Sequence, residues 1–129
     1  MGMTTKVNKK ASIMCIIALC LSFLFGQEVT GKELWKITAY CSCKLCCNKS
    51  DGITASGYKA RYGYCAVNWL PFGTKIKIVG LGEFIVMDRG SKSQFGSKEN
   101  KVRHIDIWIP THKQAKEFGV KWKEVMILP

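Results

Sequence analysis

The 129 residues leave room for one small domain, and no internal repeat, low-complexity linker or second composition zone divides them. Twenty Lys and Arg against nine Asp and Glu give a formal charge of +11, which favours anionic partners. With no basic helix and no interleaved aromatic ladder, that charge points to wall polymers and anionic lipids and away from nucleic acid.

At the N-terminus, Lys6, Lys9 and Lys10 precede an apolar stretch from Ala11 to Phe25. The pattern predicts a secretory signal peptide over residues 1–26, cleaved near Gly26, ahead of a domain at 27–129. The stretch is shorter than the roughly 20 residues that span a bilayer, so no membrane span is expected after cleavage. Cys20 follows Leu19, where a lipid-attachment signal calls for something small. Removing the leader takes three lysines away and leaves 17 basic against nine acidic residues, a net +8 on a secreted or envelope domain.

The first predicted strand is "LWKITAY", ending at Tyr40. "CSCKLCC" follows and, with Cys65, brings five cysteines to the domain. In an oxidising compartment this predicts two disulfides and one spare thiol, with fifteen ways to arrange them. Four sulfurs in seven residues also admit a thiolate metal site, although the spacing departs from paired CxxC knuckles, and no metal or cofactor is expected. "TKIKIVG" alternates strictly, with Ile76 and Ile78 on one face and Lys75 and Lys77 on the other. "EFIVM", "HIDIWI" and "EVMIL" are the remaining predicted strands, punctuated by "PFG", "GLG" and "RG". Thr111 with Gln114 three residues on makes a capping box, and Gly119 sits at a terminator position, so one short helix is predicted from His112 to Phe118. Short strands with a single helix argue for an all-β closed barrel or sandwich.

Two carboxylates stand out. Alternation places Ile105, Ile107 and Ile109 on one face, so His104, Asp106 and Trp108 share the other, and Asp106 is mounted on a rigid strand. Asp88 ends "FIVMDRG", where the turn at Gly90 lets a carboxylate emerge beside Arg89. Carboxylates on neighbouring strands repel and keep a proton on one of them, which is what a glycosidic-bond acid needs. Asp51 lies in the turn-like "SDG", and Glu83 falls on the opposite face from Asp88. No GxSxG elbow or phosphate loop is present, and two histidines do not make a multi-His centre. Trp108, Tyr40, Tyr58, Tyr62 and Tyr64 are candidates for stacking on sugar rings.

Taken together, "TAYCSCKLCCNKSDGITASG", "CAVNWLPFGTKIKIVGLGEFIVMDRG" and "HIDIWIPTHKQAKEFGV" resemble the 3D domain, a bacterial family named for three aspartates, over about residues 36–128. The resemblance implies a small six-stranded double-psi β-barrel acting on peptidoglycan as a lytic transglycosylase. Such enzymes cut between N-acetylmuramic acid and N-acetylglucosamine without water and leave a 1,6-anhydro sugar. Carried onto this chain, the third family aspartate falls on Asp106 as general acid and base, and the second on Asp88. The first falls on Asn68, a departure that removes one charge from the groove. In similar proteins the "TASG" segment lines the groove, so Thr54, Ala55 and Gly57, with Asn68, are expected at the substrate; Tyr40, as a stacking ring, and Arg89, beside Asp88, are expected there too, in a monomer whose partner is peptidoglycan strands. The rare lipoprotein A type, which shares "LPFGT" and "DRG", is similar but carries a His where this chain reads "AVNW". Asn68 also motivates the alternative of a non-catalytic glycan-binding module.

Overall fold

The computed structural model describes residues 32–129, and the leader expected over 1–26 lies outside the described residues. Among the described residues six strands form: β1 (Leu34–Tyr40), β2 (Tyr64–Ala66), β3 (Lys75–Ile78), β4 (Gly82–Asp88), β5 (His104–Trp108) and β6 (Lys121–Ile127). They close in the order β1, β5, β2, β4, β3, β6, with β6 pairing back onto β1. Closure removes the sheet edges that a small β domain otherwise leaves open. β1 with β5 and β2 with β4 run parallel, and the other four pairs are antiparallel. The expected small all-β barrel is what the chain forms.

Alternation explains the core. Lys75–Ile78 reads exposed, buried, exposed, buried, as its sequence demands. Ile76 and Ile78 meet Ile37, Cys65, Val67, Val86, Ile105 and Ile107 in one apolar cluster, with Trp35 and Leu70 at its margin. Each fully buried isoleucine contributes roughly 1.5–3 kcal/mol. Trp69 packs on Trp35 with ring centroids 5.5 Å apart and donates its indole N–H to the Val102 carbonyl at 3.0 Å.

One short helix was expected, and among the described residues three are present: α1 (Lys44–Cys47), α2 (Lys92–Phe95) and α3 (His112–Phe118). α3 has the predicted bounds and cap, with Thr111 Oγ1 accepting the Gln114 N–H at 3.2 Å. α1 and α2 are single turns with no acid in the first turn and no side-chain cap, so nothing in their sequence marked them. The three-residue β2 escaped for a similar reason: all three of its residues are buried, and a run with no exposed position shows no alternation. Among the described residues no helix is long and apolar enough to cross a membrane.

Candidate functional site

β2 lies between β4 and β5, and Ala66 is partnered by Asp88 on one side and Asp106 on the other. Register shifts between Cys65 and Ala66, so β4 skips Met87 and presents Asp88 there. Such an irregularity re-aims side chains beside sites. Because Ala66 offers only a methyl group, the floor between the two acids stays open. A groove of about 710 Å³ forms over it, walled by residues 44–49 on one side and by Arg89, Ser91, Gln94 and Phe95 on the other.

Asp106 sits at this floor, half-buried, with Oδ1 3.0 Å from the Thr38 hydroxyl. Burial raises its carboxyl from the ordinary 3.8 to about 6; a hydrogen bond donated by Thr38 opposes the rise, and the Asp88 charge adds to it. The rise has the direction expected of two neighbouring carboxylates but a different leading cause. Desolvation dominates, and repulsion from Asp88 is the smaller effect.

Behind Thr38 stands His104, fully buried and stacked on Phe95 at 4.0 Å, so it does not share an open face with Asp106 as the strand pattern implied. Its Nδ1 is 3.3 Å from the Gln94 carbonyl and its Nε2 is 2.8 Å from Thr38 Oγ1. Burial lowers its pKa, which favours the neutral ring with one N–H. A carbonyl only accepts, so that proton belongs on Nδ1, and Nε2 then takes the single hydroxyl proton of Thr38. The Thr38 to Asp106 contact is then met by a proton on Asp106 itself. All three contacts are satisfied at once with a neutral imidazole only while Asp106 is protonated.

Asp88 has a different setting. Oδ2 accepts the Tyr40 hydroxyl at 2.6 Å, and Oδ1 accepts the backbone N–H groups of Ala55 and Arg89, each at 2.8 Å. Three donors hold it still at the groove wall. Tyr40 remains a phenol, since burial and then its bond to Asp88 push its pKa far up.

Of the other sequence candidates, Tyr40, Ala55 and Arg89 line the groove. The Arg89 guanidinium donates from Nη1 to the backbone carbonyls of Val67 at 2.7 Å and Asp88 at 3.3 Å, and lies 3.8 Å over the Phe72 ring. Thr54, Gly57 and Asn68 do not line the groove. Thr54 is buried and spends its hydroxyl on Ser56 Oγ and the Tyr58 carbonyl, shaping the turn that presents Ala55. Gly57 is needed for its φ of +88°; no protein atom approaches where its Cβ would be. Asn68 donates to the carbonyls of Gly90 and Gly96 at 3.0 and 2.8 Å and accepts the Gly90 N–H at 2.8 Å. It braces the loop behind Asp88, a task that an ionised aspartate, having no donor, does not perform.

Among the aromatic candidates only Tyr40 reaches the groove. Tyr64 is core, and Trp108 bonds Ser42 Oγ at 2.9 Å with Tyr62 edge-on at 5.6 Å. Sequence reasoning missed Lys44, Lys49, Ser91 and Gln94, which enter from the two long connections and carry no pattern of their own.

The five described cysteines are free thiols, so the two expected disulfides are not formed. Cys65 is buried in the core, and Cys47 turns its thiol to the Cys41 carbonyl at 3.2 Å. The Cys47 thiol is pushed up to about 11 by burial first and by the Asp88 charge second. Cys41, Cys43 and Cys46 gather with His112, which lies more than sixty residues further along the chain.

Compared with known proteins, the chain matches no family model, and no curated protein matches it significantly.

Proposed function

We propose that this domain is a secreted or envelope lytic transglycosylase acting on the MurNAc–GlcNAc bond of peptidoglycan, with Asp106 as general acid and then general base. The observation that carries the reading is the Asp106 carboxyl, raised to about 6 at the floor of an open groove. A catalytic acid works best with a pKa near the operating pH. The resemblance of the three quoted segments to the 3D domain supports the choice of bond and product.

In this reading the protonated Asp106 gives its proton to the glycosidic oxygen as the bond to the muramyl C1 breaks. Positive charge then develops on the sugar ring. Asp88, immobilised by Tyr40, Ala55 and Arg89, supplies a fixed negative field beside it. The muramyl 6-hydroxyl attacks C1, the Asp106 carboxylate accepts its proton, and the acid is regenerated with no water consumed. Because one carboxyl serves both steps, no second carboxylate is required to activate water or to attack the sugar. Lys44, Lys49 and Arg89 make the walls cationic, which suits carboxylate-bearing peptide stems.

Digestion of sacculi followed by mass spectrometry of the soluble products tests this. Anhydro-muropeptides are expected from wild type, with release slowed roughly 100-fold or more in Asp106→Asn. Retention on insoluble peptidoglycan with no anhydro product from several peptidoglycan types would instead establish a glycan-binding module. Unchanged release by Asp106→Asn would remove Asp106 from the chemistry.

A further inference from the structure

We propose that Cys41, Cys43, Cys46 and His112 form a structural Zn²⁺ site that pins one wall of the groove to α3. Their ligand atoms all lie within 4.8 Å of one another. Cys41 Sγ is 3.6 Å from Cys46 Sγ, and His112 Nδ1 is 3.6 Å from Cys43 Sγ and 3.4 Å from Cys46 Sγ. Zn–S bonds near 2.3 Å and Zn–N bonds near 2.0–2.1 Å set tetrahedral edges of about 3.8 Å between sulfurs and about 3.5 Å between sulfur and nitrogen. These three of the six separations lie within about 0.2 Å of those edges, and the other three are no longer than 4.8 Å. Three thiolates and an imidazole are a soft donor set that selects zinc over magnesium or calcium. Four protein ligands also fill the tetrahedron, so the site is structural, with no open position for a reacting water.

A second, independent observation says what the ion does. α1 and its flanks, residues 44–49, form a groove wall, yet α1 buries none of its residues and Leu45 is 83% exposed. Apolar packing therefore does not hold this wall. A metal bridging Cys43 and Cys46, either side of Lys44 and Leu45, to His112 at the first turn of α3 does so covalently. Neighbouring Cys47 is turned to the Cys41 carbonyl and takes no part, which separates the ligand cysteines from a merely cysteine-rich loop. On binding, each of the three thiols loses its proton to solvent, and no oxidant or reductant is needed.

The test uses the full chain with Cys15 and Cys20 replaced by serine, so that their thiols do not contribute. Protein purified without chelator is expected to hold one zinc per chain by elemental mass spectrometry. Under reducing conditions, Co²⁺ substitution is expected to give the intense visible bands of a tetrahedral thiolate site. Cys46→Ser and His112→Ala should weaken binding beyond the roughly 10- to 100-fold cost of outer-shell changes, while Cys47→Ser keeps stoichiometric metal. Stripping the metal should hasten proteolytic cleavage between residues 42 and 50. Reduced wild type that binds neither metal stoichiometrically would overturn the proposal, whether or not the variants fold. So would equal loss of metal in Cys47→Ser and Cys46→Ser, or a Cys41–Cys46 disulfide in metal-saturated protein.

Discussion

Replacing Asp106 with asparagine should stabilise the domain above about pH 6 and leave it nearly unchanged below about pH 4. The folded state raises this carboxyl from 3.8 to about 6, chiefly by burial, so between those values the native protein binds a proton that the unfolded chain has released. Stability from this group is therefore full below the unfolded value and is lost as pH climbs through the folded one. At 1.36 kcal/mol per pH unit, the gap between 3.8 and about 6 amounts to about 3 kcal/mol withheld from wild type at neutral pH. Asparagine has nearly the same shape, offers an amide N–H to the Thr38 oxygen where the protonated acid offers its O–H, and carries no charge to desolvate. For a domain of this size about 3 kcal/mol corresponds to a Tm gain of roughly 10–20 °C. Urea and thermal unfolding of both proteins from pH 4 to pH 8 measure the difference directly. A wild-type-to-variant gap that stays constant across that range would refute the claim that burial of Asp106 sets its acidity.

Under the proposed function, kcat/KM for anhydro-muropeptide release should fall about tenfold per unit above about pH 6, as the acid form of Asp106 disappears. Asn68→Asp should lose the bonds donated to the Gly90 and Gly96 carbonyls and cost about 1–3 kcal/mol in urea denaturation, without raising the rate. Gly90→Ala would set a methyl group inside the Phe95 ring, so the ring must move off His104; a loss of about 1–3 kcal/mol is expected from the urea midpoint.

Legibility in the sequence followed periodicity and local chemistry. β3 could be read because its lysines and isoleucines alternate, and α3 because Thr111, Gln114 and Gly119 stand at a cap and a terminator. Asp106 and Asp88 drew attention because an acid within or ending an apolar strand needs a reason. Thr54, Gly57 and Asn68 stand behind the groove and not on its lining. Each serves the backbone: a buried hydroxyl in a turn, a positive φ, and a brace across residues 90–96.

Composition, alternation and capping residues thus determined by themselves that the domain is a small β structure with one properly capped helix and two acids worth explaining, because these signals depend only on neighbours along the chain. What lies between non-adjacent strands was decided by closure of the barrel. Closure put Ala66 between the two carboxylates, slid β4 by one residue so that Asp88 faces it, and buried His104 beneath Phe95. It also brought His112 to three cysteines more than sixty residues away, so that what spacing alone suggested was a stapled loop gathers four possible metal ligands within 4.8 Å of one another. Such meetings depend on register and loop path, and these follow from the packing of the whole barrel.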